Sequence, residues 1–140
     1  MMISALTQAI AAAPTALLSV DLFDTLLLRR TRPEFVRFED CANAQHAALG
    51  PLSPGPDALL ATRLKRTRQA YAAARAVPGG GEVRFDLVLA QLCGDFALPL
   101  SWVDTLRQVE LDYELGQLDA NQPLAQALAQ TGLPFRPCGW

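Results

Sequence analysis

Leu17-Leu18-Ser19-Val20-Asp21-Leu22-Phe23-Asp24-Thr25-Leu26 joins an apolar run to two carboxylates and a hydroxyl. From Thr15 to Asp21 the apolar character is nearly continuous, which predicts a short strand buried on both faces of a parallel sheet. No other segment reads convincingly as a strand. The run leads straight into a carboxylate, Asp21, and reaches a hydroxyl, Thr25, four residues later. Open α/β sheets build their sites at the carboxyl ends of their strands. A bend there can offer a nucleophilic oxygen, backbone N–H groups and a hydroxyl to a ligand of phosphate size.

Everything around this strand reads as helix. Upstream, Ser4 to Ala13 is rich in helix formers, carries Leu6 and Ile10 on one face, and is stopped by Pro14. Downstream, Pro33 opens a helical pattern with Phe35, Phe38, Ala42 and Leu49 at helix spacing, closed by Gly50. Pro51, Pro54, Gly55 and Pro56 make a rigid loop. Asp57 is placed to cap a long helix through Ala76 that turns Leu60, Leu64 and Tyr71 inward. Pro78 to Gly81 breaks the chain. Phe85, Val88, Leu89, Leu92 and Phe96 predict an amphipathic helix over 84–96. Ser101-x-x-Asp104 resembles a capping box for a helix that buries Trp102, Leu106, Val109 and Tyr113. A last helix has Pro123 in its first turn, Leu124 and Leu128 on its apolar face, and Gly132 after its end.

The 140 residues suffice for one ordinary domain. Apolar residues make up 51% and charged residues 19%, a composition that can collapse around a core. Twelve basic residues against 14 acidic ones give a net charge of -2, so no overall positive field exists to hold nucleic acid or an anionic membrane. Cys41, Cys93 and Cys138 are odd in number and form no Cys-x-x-Cys pair, which fits a reduced, cytoplasmic chain. No apolar run approaches the roughly 20 residues that span a bilayer. Arg63, Lys65, Arg66 and Arg68 read as a solvated helix face, and Glu110 with Glu114 as a solvated pair near Arg107. His46, without a second ligand at metal spacing, reads as a helix-surface residue, and Cys41 and Cys93 as inert core thiols.

The apolar strand followed by Asp-x-x-x-Thr-Leu, at Asp21, Thr25 and Leu26, resembles the first motif of the haloacid dehalogenase-like (HAD-like) hydrolases. Val20-Asp-Leu-Phe-Asp-Thr-Leu-Leu-Leu-Arg29, then Arg32-Pro33 and a long helical insertion, looks like the subgroup often encoded beside or fused to glycosyltransferases. Similarity extends over residues 15–132, although only the ten-residue motif is diagnostic. The resemblance implies a Rossmann-like α/β core by ancestry. In this chain it leaves a mainly helical fold with one core strand and a helical cap. The implied divisions are 1–32 for the leading helix, strand and motif loop, 33–118 for the cap, and 119–140 for a return helix and an aberrant tail.

Carried over residue by residue, the resemblance makes Asp21 the nucleophile of an aspartyl intermediate and a ligand of Mg²⁺. Thr25 seats the phosphoryl group, and the Phe23 backbone carbonyl is a second metal ligand. The implied substrate is a phosphorylated small molecule or sugar, with a possible glycosyltransferase association. Family phosphatases keep an acidic acid/base two residues after the nucleophile, where this chain has Phe23; Asp24 is the candidate substitute. The family also requires a second strand ending in Ser or Thr, then a Lys and a late acidic pair, none of which follows Gly132. Truncation or a change of frame before the second motif is therefore expected, with little catalysis by this chain alone. The rival expectation is a non-catalytic helical interaction module, or a degraded gene product, with a vestigial motif.

Overall fold

The computed structural model describes residues 2–12 and 17–138. It is mainly helical, in the order α1 (Met2–Ala12), β1 (Leu18–Asp21), β2 (Leu27–Arg29), α2 (Glu34–Leu49), α3 (Pro56–Arg75), α4 (Phe85–Asp95), α5 (Trp102–Gly116), β3 (Leu118–Ala120), α6 (Gln122–Gln130) and β4 (Phe135–Cys138). The chain divides into two compact units. One holds both ends, up to Thr31 and from Gln117, and the other is Arg32–Gly116.

In the terminal unit β1 pairs in parallel with β4, with Leu18 opposite Phe135 and Asp21 opposite Cys138. Parallel neighbours cannot be joined by a tight turn. Here α6, which packs against α1, leads the chain back into β4. A second pair, β2 with β3, is antiparallel, with Leu27 opposite Ala120 and Arg29 opposite Leu118. The Arg30 N–H extends it by donating to the Gln117 carbonyl at 2.8 Å. The helical unit thus leaves and re-enters the terminal unit through two strands bonded to each other.

The expectation of a single strand is corrected: β2, β3 and β4 accompany β1. Three or four residues are too few to show a period. Within the tail, residues 135–138 form the parallel partner of β1. Pro137 cannot donate to a ladder, and a proline is tolerated where a strand has a neighbour on one side only, as β4 has among the described residues. Nor is β1 covered on both faces: Leu18 and Val20 are half-buried while Ser19 and Asp21 are exposed. The predicted strand start at Thr15, the helix end at Ala13 and its stop at Pro14 lie outside the described residues.

Within the helical unit α2 packs on α3 and α5, and α4 packs on the same two. Its core is Ala42, Leu59, Leu89, Leu92, Cys93 and Leu106, with Leu49, Leu60, Phe85, Phe96, Leu98, Trp102 and Val103 packed around it. Burying each such leucine contributes about 1.5–3 kcal/mol. Two stripe positions are corrected. Phe35, in the first turn of α2, is 55% exposed, and Tyr71, toward the end of α3, is 44% exposed. Two caps are corrected as well. Gly55 precedes α3 with Pro56 in the first turn and no side-chain cap, so Asp57 lies inside the helix. Asp104 accepts from Arg107 at 2.6 Å instead of completing a box with Ser101. Between α3 and α4, Gly79 has φ 74°, and a side chain at Gly80 would overlap the Ala74 carbonyl, so this break requires glycine.

Candidate functional site

β1 ends on Asp21, whose side chain is exposed. The backbone then coils once. Leu26 and Leu27 donate their N–H groups to the Leu22 carbonyl at 3.0 and 2.8 Å, and the Asp24 N–H donates to the Leu27 carbonyl at 2.7 Å. This tight return forces Asp24 to φ 56°, a left-handed conformation that aspartate tolerates better than most residues. Asp24 is exposed, and Phe23 and Thr25 are half-buried. Asp21, Phe23 and Thr25 therefore occupy one strand end and the turn that follows it.

A residue overlooked in the sequence holds this turn. Asn121 donates its backbone N–H to the Leu26 carbonyl at 2.8 Å and its side-chain amide to the Thr25 carbonyl at 2.9 Å. Its side-chain oxygen accepts from the Leu124 N–H at 3.4 Å, capping α6. One asparagine thus ties the turn, the end of β3 and the start of α6 together. An asparagine two residues before Pro123 is a recognisable helix-start signal, but its grip on Thr25 spans too much sequence to be read from spacing.

The charges around the turn are mixed. The Arg29 guanidinium lies over the Phe23 ring, 5.5 Å from its centroid. Arg30 pairs with Asp119 at 3.2 Å in an exposed contact. Among the described residues no group of three or more His, Cys, Asp or Glu side chains converges. Mg²⁺ demands near-octahedral oxygen coordination and gives up its waters reluctantly. One Asp21 carboxylate and one Phe23 carbonyl do not constitute such a site, so the residues here do not fit the expected metal by themselves.

The helical unit holds a buried polar network instead of two solvated faces. Glu110 is 8% exposed and accepts from Arg63 Nε at 2.9 Å, Arg63 Nη2 at 3.1 Å and Gln45 Nε2 at 3.0 Å. Arg63 also donates to Thr67 and lies over the rings of Phe38 and Phe85, at 5.7 and 5.2 Å. Arg63 is thus no part of a solvated basic stripe, and Glu110 forms no pair with Glu114, which accepts from Arg37 at 3.2 Å. Arg32 donates twice to Asp40, at 2.5 and 2.9 Å, and the Tyr113 hydroxyl donates to the same carboxylate at 2.5 Å. The Arg32 and Tyr113 bonds hold the Asp40 carboxyl below its ordinary range.

His46 is half-buried, with Nδ1 at 2.9 Å from Ser53 Oγ and 3.0 Å from the Pro54 carbonyl. The Ser53 hydroxyl proton goes to the Gly50 carbonyl, 2.6 Å away, so Nδ1 is the donor to the loop. This histidine buttresses the loop before α3 and is no free surface residue. Cys41 and Cys93 are buried, and burial pushes the Cys41 thiol up to about 12 and Cys93 upward as well. Neither thiol is a nucleophile at neutral pH. The side chain of Cys138 lies outside the described residues. No helix among the described residues is long and apolar enough to cross a membrane.

No family model matches the chain, and no curated protein matches it.

Proposed function

We propose that the chain carries the nucleophilic segment of a HAD-like hydrolase, acting on phosphorylated small molecules or sugars through an aspartyl intermediate at Asp21. The observation that carries this reading is the position of Asp21, the last residue of a strand paired in parallel, followed by a single turn that bears Thr25. Carboxyl ends of parallel strands are where such sheets place their chemistry. The insertion of a helical unit between β2 and β3 supports the same reading, since it matches the cap that the motif implies.

In this reading Asp21 attacks phosphorus, Thr25 seats the phosphoryl oxygens, and Asp24 is the remaining acid near the turn. The apparatus for turnover is thin. Phe23 can neither protonate a leaving group nor activate water. Lys65, the single lysine of the chain, is an exposed residue of α3 in the helical unit. The strand in register with β1 ends at Cys138, where the resemblance calls for Ser or Thr. Mg²⁺ binding and a glycosyltransferase association belong to the proposal only if further carboxylates and a partner complete the site.

An acyl phosphate tests the nucleophile apart from turnover, because its carboxylate leaving group needs no proton. An Asp21 oxygen forms the new P–O bond, the bond from phosphorus to the acyl oxygen breaks, and the carboxylate leaves with the electron pair. Incubation of the pure chain with acetyl phosphate, with and without Mg²⁺, should add one phosphoryl group in the intact mass, removable by hydroxylamine and absent in Asp21→Asn. Equal labelling of the variant would refute the assignment. Absence of labelling from both proteins would favour the reading as a helical module.

A further inference from the structure

We infer that Arg29 is the anion-recognising cation of the candidate site, and that its seat on the Phe23 ring fits the turn after β1 to a phosphate group. This rests on the function proposed above and adds to it the residue that would select an anionic substrate.

The starting point is an electrostatic conflict. Asp21 and Asp24 stand three residues apart, both exposed, at the strand end and the turn. Two carboxylates repel a phosphate, so an anion reaches Asp21 only if a fixed positive charge offsets them. The terminal unit offers two arginines with described side chains, Arg29 and Arg30. Arg30 is engaged by Asp119 at 3.2 Å. The Arg29 side chain makes no ion pair or hydrogen bond among the described residues, and its guanidinium lies over the Phe23 ring, 5.5 Å from the centroid.

That contact decides the position of the charge. A guanidinium lying on an aromatic face is held by cation–π attraction while its N–H donors, which radiate in the guanidinium plane, stay available at the ring's edge. Phe23 lies midway between Asp21 and Thr25 in sequence, so the stacked cation is anchored to the turn that carries both. The Thr25 N–H and hydroxyl are also without a partner among the described residues, while its carbonyl is fixed by Asn121. A planar fork of donors anchored on the turn that also carries the Thr25 N–H and hydroxyl has the donor chemistry to match the oxygens of a phosphate. The aromatic residue at position 23 thereby gains a role: it seats the cation that an anionic ligand needs.

The test is titration of the full chain with inorganic phosphate at low ionic strength, followed by ³¹P chemical shift, with sulfate as a competitor. Arg29→Gln should weaken phosphate binding about tenfold or more, and Arg29→Lys should restore only part of it, because the bidentate fork is lost. Phe23→Leu should weaken binding less, by unseating the cation, and Arg30→Gln should leave it within about twofold. Asp21→Asn should tighten it by removing a repelling charge. Circular dichroism of each variant checks that the fold is kept. Phosphate binding that is equal in Arg29→Gln and the parent would overturn the role of Arg29 while leaving Asp21 labelling by acetyl phosphate intact. No phosphate binding by the parent or by Asp21→Asn would overturn the anion site itself.

Discussion

At the scale of single residues, the buried pair of Glu110 and Arg63 dominates the helical unit. Both side chains are about nine-tenths buried, at 10% and 12% exposure. Removing one charge from such a pair leaves the other desolvated and uncompensated, at a cost of about 3–5 kcal/mol. Glu110→Gln should therefore lower stability by about that amount in urea unfolding. The double variant Arg63→Met with Glu110→Leu should recover most of the loss. A single variant as stable as the parent would show that the pair contributes no specificity to the packing of α3 on α5. The pair was illegible in the sequence for a plain reason. A pattern of charges on a helix face predicts solvent, and nothing in the spacing announces a carboxylate 47 positions away. Apolar stripes were more legible, because Leu89, Leu92 and Leu106 have no polar atoms to satisfy and are completely buried.

At the scale of elements, the turn after β1 depends on Asn121. Asn121→Ala removes a helix cap, worth about 0.5–2 kcal/mol, and also frees the Thr25 carbonyl. Asn121→Asp separates the two effects, since its oxygen can still cap α6 while its side chain has no donor for Thr25 when ionised. Hydrogen exchange should show protection of α6 retained in Asn121→Asp but lost at Leu26 and Leu27, and lost at both places in Asn121→Ala. Unchanged exchange at Leu26 and Leu27 in both variants would show that the turn holds itself. The motif segment was readable because apolar continuity followed by Asp and Thr is a strong local pattern, and β1 begins and ends inside the predicted run. The strands β2, β3 and β4 were not, since their pairing is set by partners about 90 or more residues away.

For the whole molecule, the acid response follows from three carboxylates of the helical unit. Asp40 is held below its ordinary pKa chiefly by the hydrogen bond from Arg32, Asp86 by that from Arg84, and Asp95 by that from Arg66. A carboxylate whose pKa is lower in the folded chain than in the unfolded one adds stability that is present above about pH 4 and lost as pH falls through the depressed folded value. The melting temperature followed by circular dichroism should be flat from pH 7 to 5 and decline below pH 4. Because these pairs are at the surface, added salt should reduce the decline. A melting temperature that holds steady down to pH 2.5 would show that the three pairs contribute nothing.

On the proposed reading, Asp21 is a nucleophile without the charge needed to turn it over. Removing even one electrostatic stabiliser of a transition state typically costs about 100-fold or more in rate. The terminal unit of the given sequence holds no lysine, no group of three or more His, Cys, Asp or Glu side chains converges among the described residues, and Phe23 supplies no proton. The direct measurement is steady-state hydrolysis of a generic aryl phosphate in the presence of Mg²⁺ by the pure chain and by Asp21→Asn. Rates for both proteins should match the protein-free background; turnover well above background that disappears in Asp21→Asn would overturn this reading and show that the chain turns over unaided.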